Sequence, residues 1–312
     1  MPRKSLSMLV AILVLAGLGL WFFSGTSPPP TPPGSDIITA PRAGAPTPAP
    51  PPPRPVRADC RGEPRFEAAA RANAASLSTL AWAPFRRPET GWETYAPFVA
   101  REIATTCAPG DPAFAAALAQ WQKGRKRPAT GVFSAEDFEV MRVASHRRRP
   151  FVLAYADGCP VAADPEELAP ASREEGYSGK AVSLRRDVLE AYRRMVSAAR
   201  AEVPAVAADP RMLTIFSGYR PPSEEAARCA GRDCTGPTRV LCSAHRTGTA
   251  IDLYVGQAPG LRPDASEDAN RLFQSKTPIY RWLIANADRF GFYPYVFEPW
   301  HWEWAGVAGA SP

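Results

Sequence analysis

SAHRTGTAIDLYVG, residues 243–256, changes character half-way along. The first half is polar and turns on a glycine. The second half, from Ala250 to Gly256, reads as a β-strand. On a strand alternate side chains share a face, so Ala250 and Asp252 point one way and Ile251 and Leu253 the other. The apolar pair belongs to a core. The opposite face presents a carboxylate beside a small residue that leaves space. Gly248 can adopt backbone angles closed to other residues, which lets the chain fold back and brings His245 toward Asp252.

The flanking segments set the fold class. Met212 to Gly218 (MLTIFSG) reads as a second strand and HWEWAG, from His301, as a closing one. Leu184 to Glu202 is an amphipathic helix with Val188, Tyr192 and Met195 on one face. Pro278 to Phe290 is a helix with a proline in its first turn. Strands interspersed with separate helices, without regular β-α-β spacing, indicate an α+β fold: a small antiparallel sheet with flanking helices. Upstream, FEAAARANAASLSTLAW, YAPFVAREIATTC and FAAALAQWQ carry apolar residues at helical spacing, and Ser134 caps a further helix. The expected organisation is a helical region at 59–149 and a catalytic domain at 150–312.

The N-terminal part is of another kind. Arg3 and Lys4 precede the apolar stretch Met8 to Phe23, an arrangement that holds the first residues in the cytoplasm and exports the rest. Residues 1–26 read as a membrane anchor or a cleaved signal peptide, with Trp21 suited to the membrane interface and no A-x-A cleavage site following. Much of the chain's excess of proline falls in the linker at 27–58, which lacks the apolar side chains to fill a core. As an extended spacer at ~3.1 Å per residue it reaches roughly 80–100 Å. The net charge of +6 suits an anionic polymer or membrane surface, and no nucleic-acid motif accompanies it. The even count of six cysteines in an exported chain points to disulfides, with 15 pairings open. The rival, a structural zinc site from Cys229, Cys234, Cys242 and His245, has irregular spacing.

The segment EPWHWEW, residues 298–304, completes the chemistry. Alternation places Trp300, Trp302 and Trp304 on one face and His301 and Glu303 on the other. Pro299 interrupts regular pairing, so Glu298 falls on the turn leading in. Two histidines and an aspartate, with a nearby glutamate, match the three protein ligands and the base of a catalytic zinc site. A single histidine or aspartate on a strand is ordinarily structural. Here two of the chain's three histidines fall in these two motifs.

The pattern S-x-H-x-x-G-x-A-x-D (Ser243–Asp252) followed by E-x-W-H (Glu298–His301) resembles the D-Ala-D-Ala metallopeptidase family. This is the group of VanY-type carboxypeptidases and VanX-type dipeptidases, related in fold to lysostaphin-type enzymes and the hedgehog signalling domain. SGYRP, residues 217–221, resembles the family's arginine motif. The resemblance implies zinc (Zn2+) held by His245, Asp252 and His301. Glu298 would be the general base and acid, and Arg220 would steady the scissile carbonyl and its oxyanion. Ser243 and Tyr219 would help to hold substrate. Glu303 is the fallback base, and otherwise a support to the ligands. The cysteine-bearing insertion Arg228–Leu241 departs from many members and is expected to shape the cleft. Separately, FAAALAQWQ…ATGVFSAEDFEVM loosely resembles small helical peptidoglycan-binding domains.

The resulting expectation is a zinc peptidase of the cell envelope, anchored in the inner membrane facing the periplasm, or exported. It removes terminal D-Ala from peptidoglycan stems. Two alternatives stand beside it: an endopeptidase using the same site on cross-links, and a non-catalytic wall-binding anchor.

Overall fold

Alanine, the strongest helix former, is the commonest residue of two early helical segments, Glu67–Thr79 and Pro112–Gly124. The computed structural model describes residues 59–155, 158–231, 234 and 241–306, all within one compact unit, Thr47–Pro312. Helices α1 (Glu67–Thr79), α2 (Ala96–Glu102), α3 (Pro112–Gly124) and α4 (Ala135–Arg147) form the N-terminal part. A short antiparallel hairpin, β1 (Ala81–Trp82) with β2 (Glu89–Thr90), separates α1 from α2. Ser134 caps α4 as expected. Its hydroxyl accepts from the Asp137 amide while the Asp137 carboxylate accepts from the Ser134 amide, which satisfies two otherwise orphaned donors.

The remaining elements follow in order: α5 (Pro150–Ala154), the antiparallel pair β3 (Leu168–Pro170) and β4 (Ser183–Arg185), then α6 (Arg186–Glu202) and α7 (Pro204–Ala208). After these come β5 (Ile215–Ser217), α8 (Pro222–Cys229), β6 (Ala250–Leu253), α9 (Asp268–Ser275), α10 (Pro278–Asn286), β7 (Phe292–Pro294) and β8 (His301–Trp304). Strands β5, β6, β8 and β7 lie side by side in that order, and each neighbouring pair is antiparallel. The α+β expectation holds. Thr277 caps α10 by accepting from the Tyr280 amide, and Pro278 occupies its first turn.

Two strands are shorter than their sequence windows. β5 begins only at Ile215, because Leu213 has φ +67° and bends the chain out of extended conformation. β6 ends at Leu253, whose amide donates to Trp300 in the turn before β8 rather than to a strand residue.

One hydrophobic core runs across the expected boundary at 149/150. Trp82, Trp92, Phe114 and Phe138 from the first part join Leu189, Ile251, Tyr280 and Trp302 from the second. Each such side chain, fully buried, contributes about 1.5–3 kcal/mol. Thr94 Oγ1 donates to the Ser275 carbonyl at 2.9 Å, and the Ser145 and Tyr293 hydroxyls meet at 2.9 Å, so polar bonds also cross the join.

All six cysteines are paired, as Cys60–Cys107, Cys159–Cys242 and Cys229–Cys234. That leaves no thiolate for the rival cysteine–zinc site. The N-terminal segment and proline-rich linker, 1–58, lie outside the described residues, as does most of the 228–241 insertion. Among the described residues no helix is long and apolar enough to cross a membrane.

Candidate metal centre and cleft

Register builds the centre. In the β6–β8 pair Ile251 stands opposite Trp302, Asp252 opposite His301 and Ala250 opposite Glu303. Residues directly opposite on antiparallel strands have Cβ atoms about 4.5–5.5 Å apart. The Ile251–Trp302 face therefore packs into the core, and the other face brings Asp252 against His301. The expected alternation holds from His301 to Trp304. Trp300, in the preceding turn, lines the cleft instead. The small Ala250 leaves room for the Glu303 carboxylate.

His245 arrives from the other side. It sits in a single turn of 3-10 helix, Ala244–Thr247, in which the His245 amide donates to the Ser243 hydroxyl at 3.3 Å. Gly248 ends that turn at φ +68°, and a Cβ there would press on Leu168, Ala163 and Arg185. The reversal places His245 Nε2 at 3.2 Å from Asp252 Oδ2, while His301 Nδ1 lies at 2.8 Å from Asp252 Oδ1. The three side chains are buried, and their ligand atoms all fall within 4.8 Å of one another.

The second nitrogen of each ring decides the protonation pattern. His245 Nδ1 lies 2.8 Å from the Gly218 carbonyl, which can only accept, so Nδ1 carries the hydrogen. His301 Nε2 lies 3.2 Å from Glu303 Oε1. Burial alone would raise the Glu303 carboxyl, but bonds from His301 and the charge of Arg149 pull it down to about 2, so it accepts and His301 Nε2 donates. That leaves His245 Nε2 and His301 Nδ1 as lone pairs, both aimed at Asp252. Burial pushes Asp252 up, and the two imidazoles outweigh it and hold the carboxyl far below the carboxylate range. Lone pairs facing a carboxylate call for a proton or a cation between them. The proton solution is visible in His301: burial lowers it, and Asp252 and Glu303 raise it to about 9. A dication held by two imidazoles and one carboxylate solves the same problem, and this donor set suits zinc.

A cleft of about 860 Å³ opens over the centre. Glu298 lines it from the turn before β8. Its carboxyl is raised by burial, an effect partly offset by His301, and it accepts no hydrogen bond among the described residues. Arg220 also lines it, with Nη1 donating to Ser243 Oγ at 3.0 Å and Nη2 to Ser217 Oγ at 3.1 Å. Its amide donates to the His245 carbonyl, which couples the arginine segment to the first ligand. Ser243 is in the cleft wall, whereas Tyr219 is not among the lining residues. Arg228, Cys229, Leu241 and Cys242 contribute to the wall, so the ends of the insertion do shape the cleft.

Several residues of the site carry no signal in the sequence motifs. Glu225 accepts from the Ser243 amide at 2.8 Å and pairs with Arg246, steadying the turn that carries His245. Lys180 reaches the cleft from the loop before β4, and His146 and Arg149 reach it from α4 and the turn after it. The second cysteine–acid group, Cys60, Cys107 and Asp111, is spent on a disulfide.

Residues 240–307 match the sequence model of the VanY family, D-alanyl-D-alanine carboxypeptidase. This segment is VanY-type, as the motifs implied. The match contains Ser243, His245, Asp252, Glu298 and His301 and begins after Tyr219 and Arg220. No curated protein matches the chain significantly.

Proposed function

We propose that this chain is a zinc-dependent D,D-carboxypeptidase that removes the terminal D-Ala from peptidoglycan stem peptides. The observation that carries the reading is the buried His245–Asp252–His301 group, with its lone pairs converging, under a cleft walled by Glu298 and Arg220. Zinc held by His245, Asp252 and His301 would supply Lewis acidity toward the scissile carbonyl. Glu298 takes a proton from the attacking water at its free carboxylate and delivers it to the leaving amine. Arg220, its fork set by Ser217 and Ser243, donates to the oxygen on which negative charge develops. Ser243 borders substrate from the same wall. Tyr219 is retained only as an outlying substrate contact.

A specific observation favours the carboxypeptidase over the endopeptidase. Among the described residues Arg228 lines the cleft with no ion pair, and Lys180 lines it with only the Phe216 carbonyl as partner. Such cations suit the free C-terminal carboxylate that a cross-link lacks. The address follows from the substrate. Three disulfides belong to an oxidising compartment such as the periplasm, with residues 1–26 as tether or signal and 27–58 as spacer.

The test is to incubate the zinc-loaded full chain with a pentapeptide muropeptide and with a cross-linked dimer, with and without chelator, and to follow products by mass spectrometry. Chelator-sensitive loss of one alanine is expected. Splitting of the dimer instead would establish the endopeptidase. Tight zinc with no product from either substrate would leave a wall-binding anchor.

A further inference from the structure

Arg149 lies in the turn between α4 and α5, outside every motif that marks the site. It is 7% exposed and lines the cleft. Its Nε donates to Glu303 Oε1 at 2.9 Å, and its Nη2 donates to the same oxygen. Glu303 Oε2 accepts from the Phe151 amide at 2.8 Å, two residues further along the same turn. The guanidinium also lies over the Tyr295 ring, 3.8 Å from its centroid, and the Tyr295 amide donates to the His301 carbonyl at 3.2 Å. Arg149 is thus held from two directions, by a carboxylate and by an aromatic face, and both supports adjoin His301.

We propose that Arg149 is a positioning residue of the metal centre, acting through Glu303 to set the tautomer and ring orientation of His301. The inference rests on the metal reading above and extends it to a residue 154 positions from Glu303 in the chain. The hydrogen-bond roles around Glu303 are forced. Two donors from Arg149 and one from Phe151 leave Glu303 as an acceptor only, so His301 Nε2 must donate to it and Nδ1 remains free to face Asp252. Removing Arg149 would leave the buried Glu303 carboxylate without its charged partner, held only by the Phe151 amide and His301, a strongly destabilising loss that loosens its hold on the ring. The His301 ring would then lose the bond that fixes which nitrogen faces Asp252. An arginine suits the task because its planar fork bonds a carboxylate edge while stacking on a ring, and lysine offers only a point charge. On this reading the last turn of the helical region is a strut of the catalytic centre.

The test measures zinc affinity of the metal-free, full-length protein by competition with a chromogenic chelator, alongside kcat and KM of the loaded enzyme. Loss of an outer partner of a metal ligand ordinarily weakens metal affinity or activity about 10–100-fold. That loss is expected for Arg149→Met, in affinity and in kcat, with KM held. Arg149→Lys should fall between Met and wild type, a graded rescue that a purely structural role would not produce. Cobalt-loaded Arg149→Met should show a shifted visible spectrum, since His301 is reoriented. Arg148→Met is the control, because the half-exposed Arg148 pairs with Glu102 and is not among the residues that line the cleft, so metal affinity, kcat and spectrum should stay unchanged. Wild-type zinc affinity in a folded Arg149→Met protein would overturn the proposal while leaving the metal reading intact. If that variant does not fold, Arg149→Lys and Glu303→Gln decide: weakened affinity supports the proposal, and wild-type affinity in both overturns it. A wild-type chain that takes up no zinc sinks the metal reading and this proposal together.

Discussion

Around Gly131, Asn73 and Gln122 form one buried polar cluster; around Gly248, His245, Asp252 and His301 form another. Both glycines have φ +68°, and both turns deliver backbone or side chain to a buried polar cluster. In the first cluster every amide is answered. Gln122 Oε1 accepts from the Gly131 amide at 2.9 Å, and its Nε2 donates to Val132 and Asp137. Asn73 donates to the Gly131 carbonyl and accepts from the Phe133 amide, at 2.9 and 2.8 Å. The second cluster has acceptors facing acceptors once the outer bonds to Gly218 and Glu303 are made. A network that closes on itself is structure, and one that closes only with an added proton or cation is a candidate binding site. The glutamine and glycine turn that resembles a peptidoglycan-binding motif makes the contacts of the first cluster.

That contrast is open to being broken. The largest effect is expected at Glu298, a free carboxylate over the second cluster. Glu298→Gln should cut kcat by about 10²–10⁴, the usual range for a general acid–base, with zinc content and Tm unchanged. A fully active variant would pass the role to Glu303, although that carboxylate is already saturated by Arg149, Phe151 and His301. Next comes Arg220→Ala, expected to slow turnover by about 10²–10³, the loss typical of one oxyanion donor. An unchanged kcat in steady-state assays would remove Arg220 from the mechanism.

The smallest effect sharpens the comparison from the other side. Gln122→Ala leaves the buried Gly131 amide without its acceptor, a cost of about 1–3 kcal/mol. In a chain of this size each kcal/mol lowers Tm by roughly 2–4 °C. Thermal unfolding should therefore drop while zinc affinity and kcat stay at wild type. Loss of zinc in this variant would mean that the two clusters are not independent.

The motifs made much of the candidate site legible. His245, Asp252, Glu298 and His301 stand out because turn chemistry and two-residue alternation are local properties of the chain. Ser134, Pro278 and the apolar face of α6 were readable for the same reason. Tyr219 shows the limit of such reading, since a residue beside a lining arginine need not itself line the cleft. The boundary at 149/150 shows another. A change in element type marks a domain border only where the core also divides, and here the core is continuous.

By itself, then, the sequence determined the chemical inventory: an α+β chain, a turn-and-strand that offers one imidazole and one carboxylate, and a second strand that offers the other imidazole. Tertiary structure alone decided the register that sets Asp252 against His301, 49 residues apart, the Gly218 carbonyl that orients His245, and the Arg149–Glu303 strut. It also selected one cysteine pairing from fifteen. The physical reason is one of range. Periodicity and capping act over a few residues and are written in the local pattern. Register, ring tautomer and disulfide partners are fixed by contacts between distant segments, and no local pattern encodes which segment arrives.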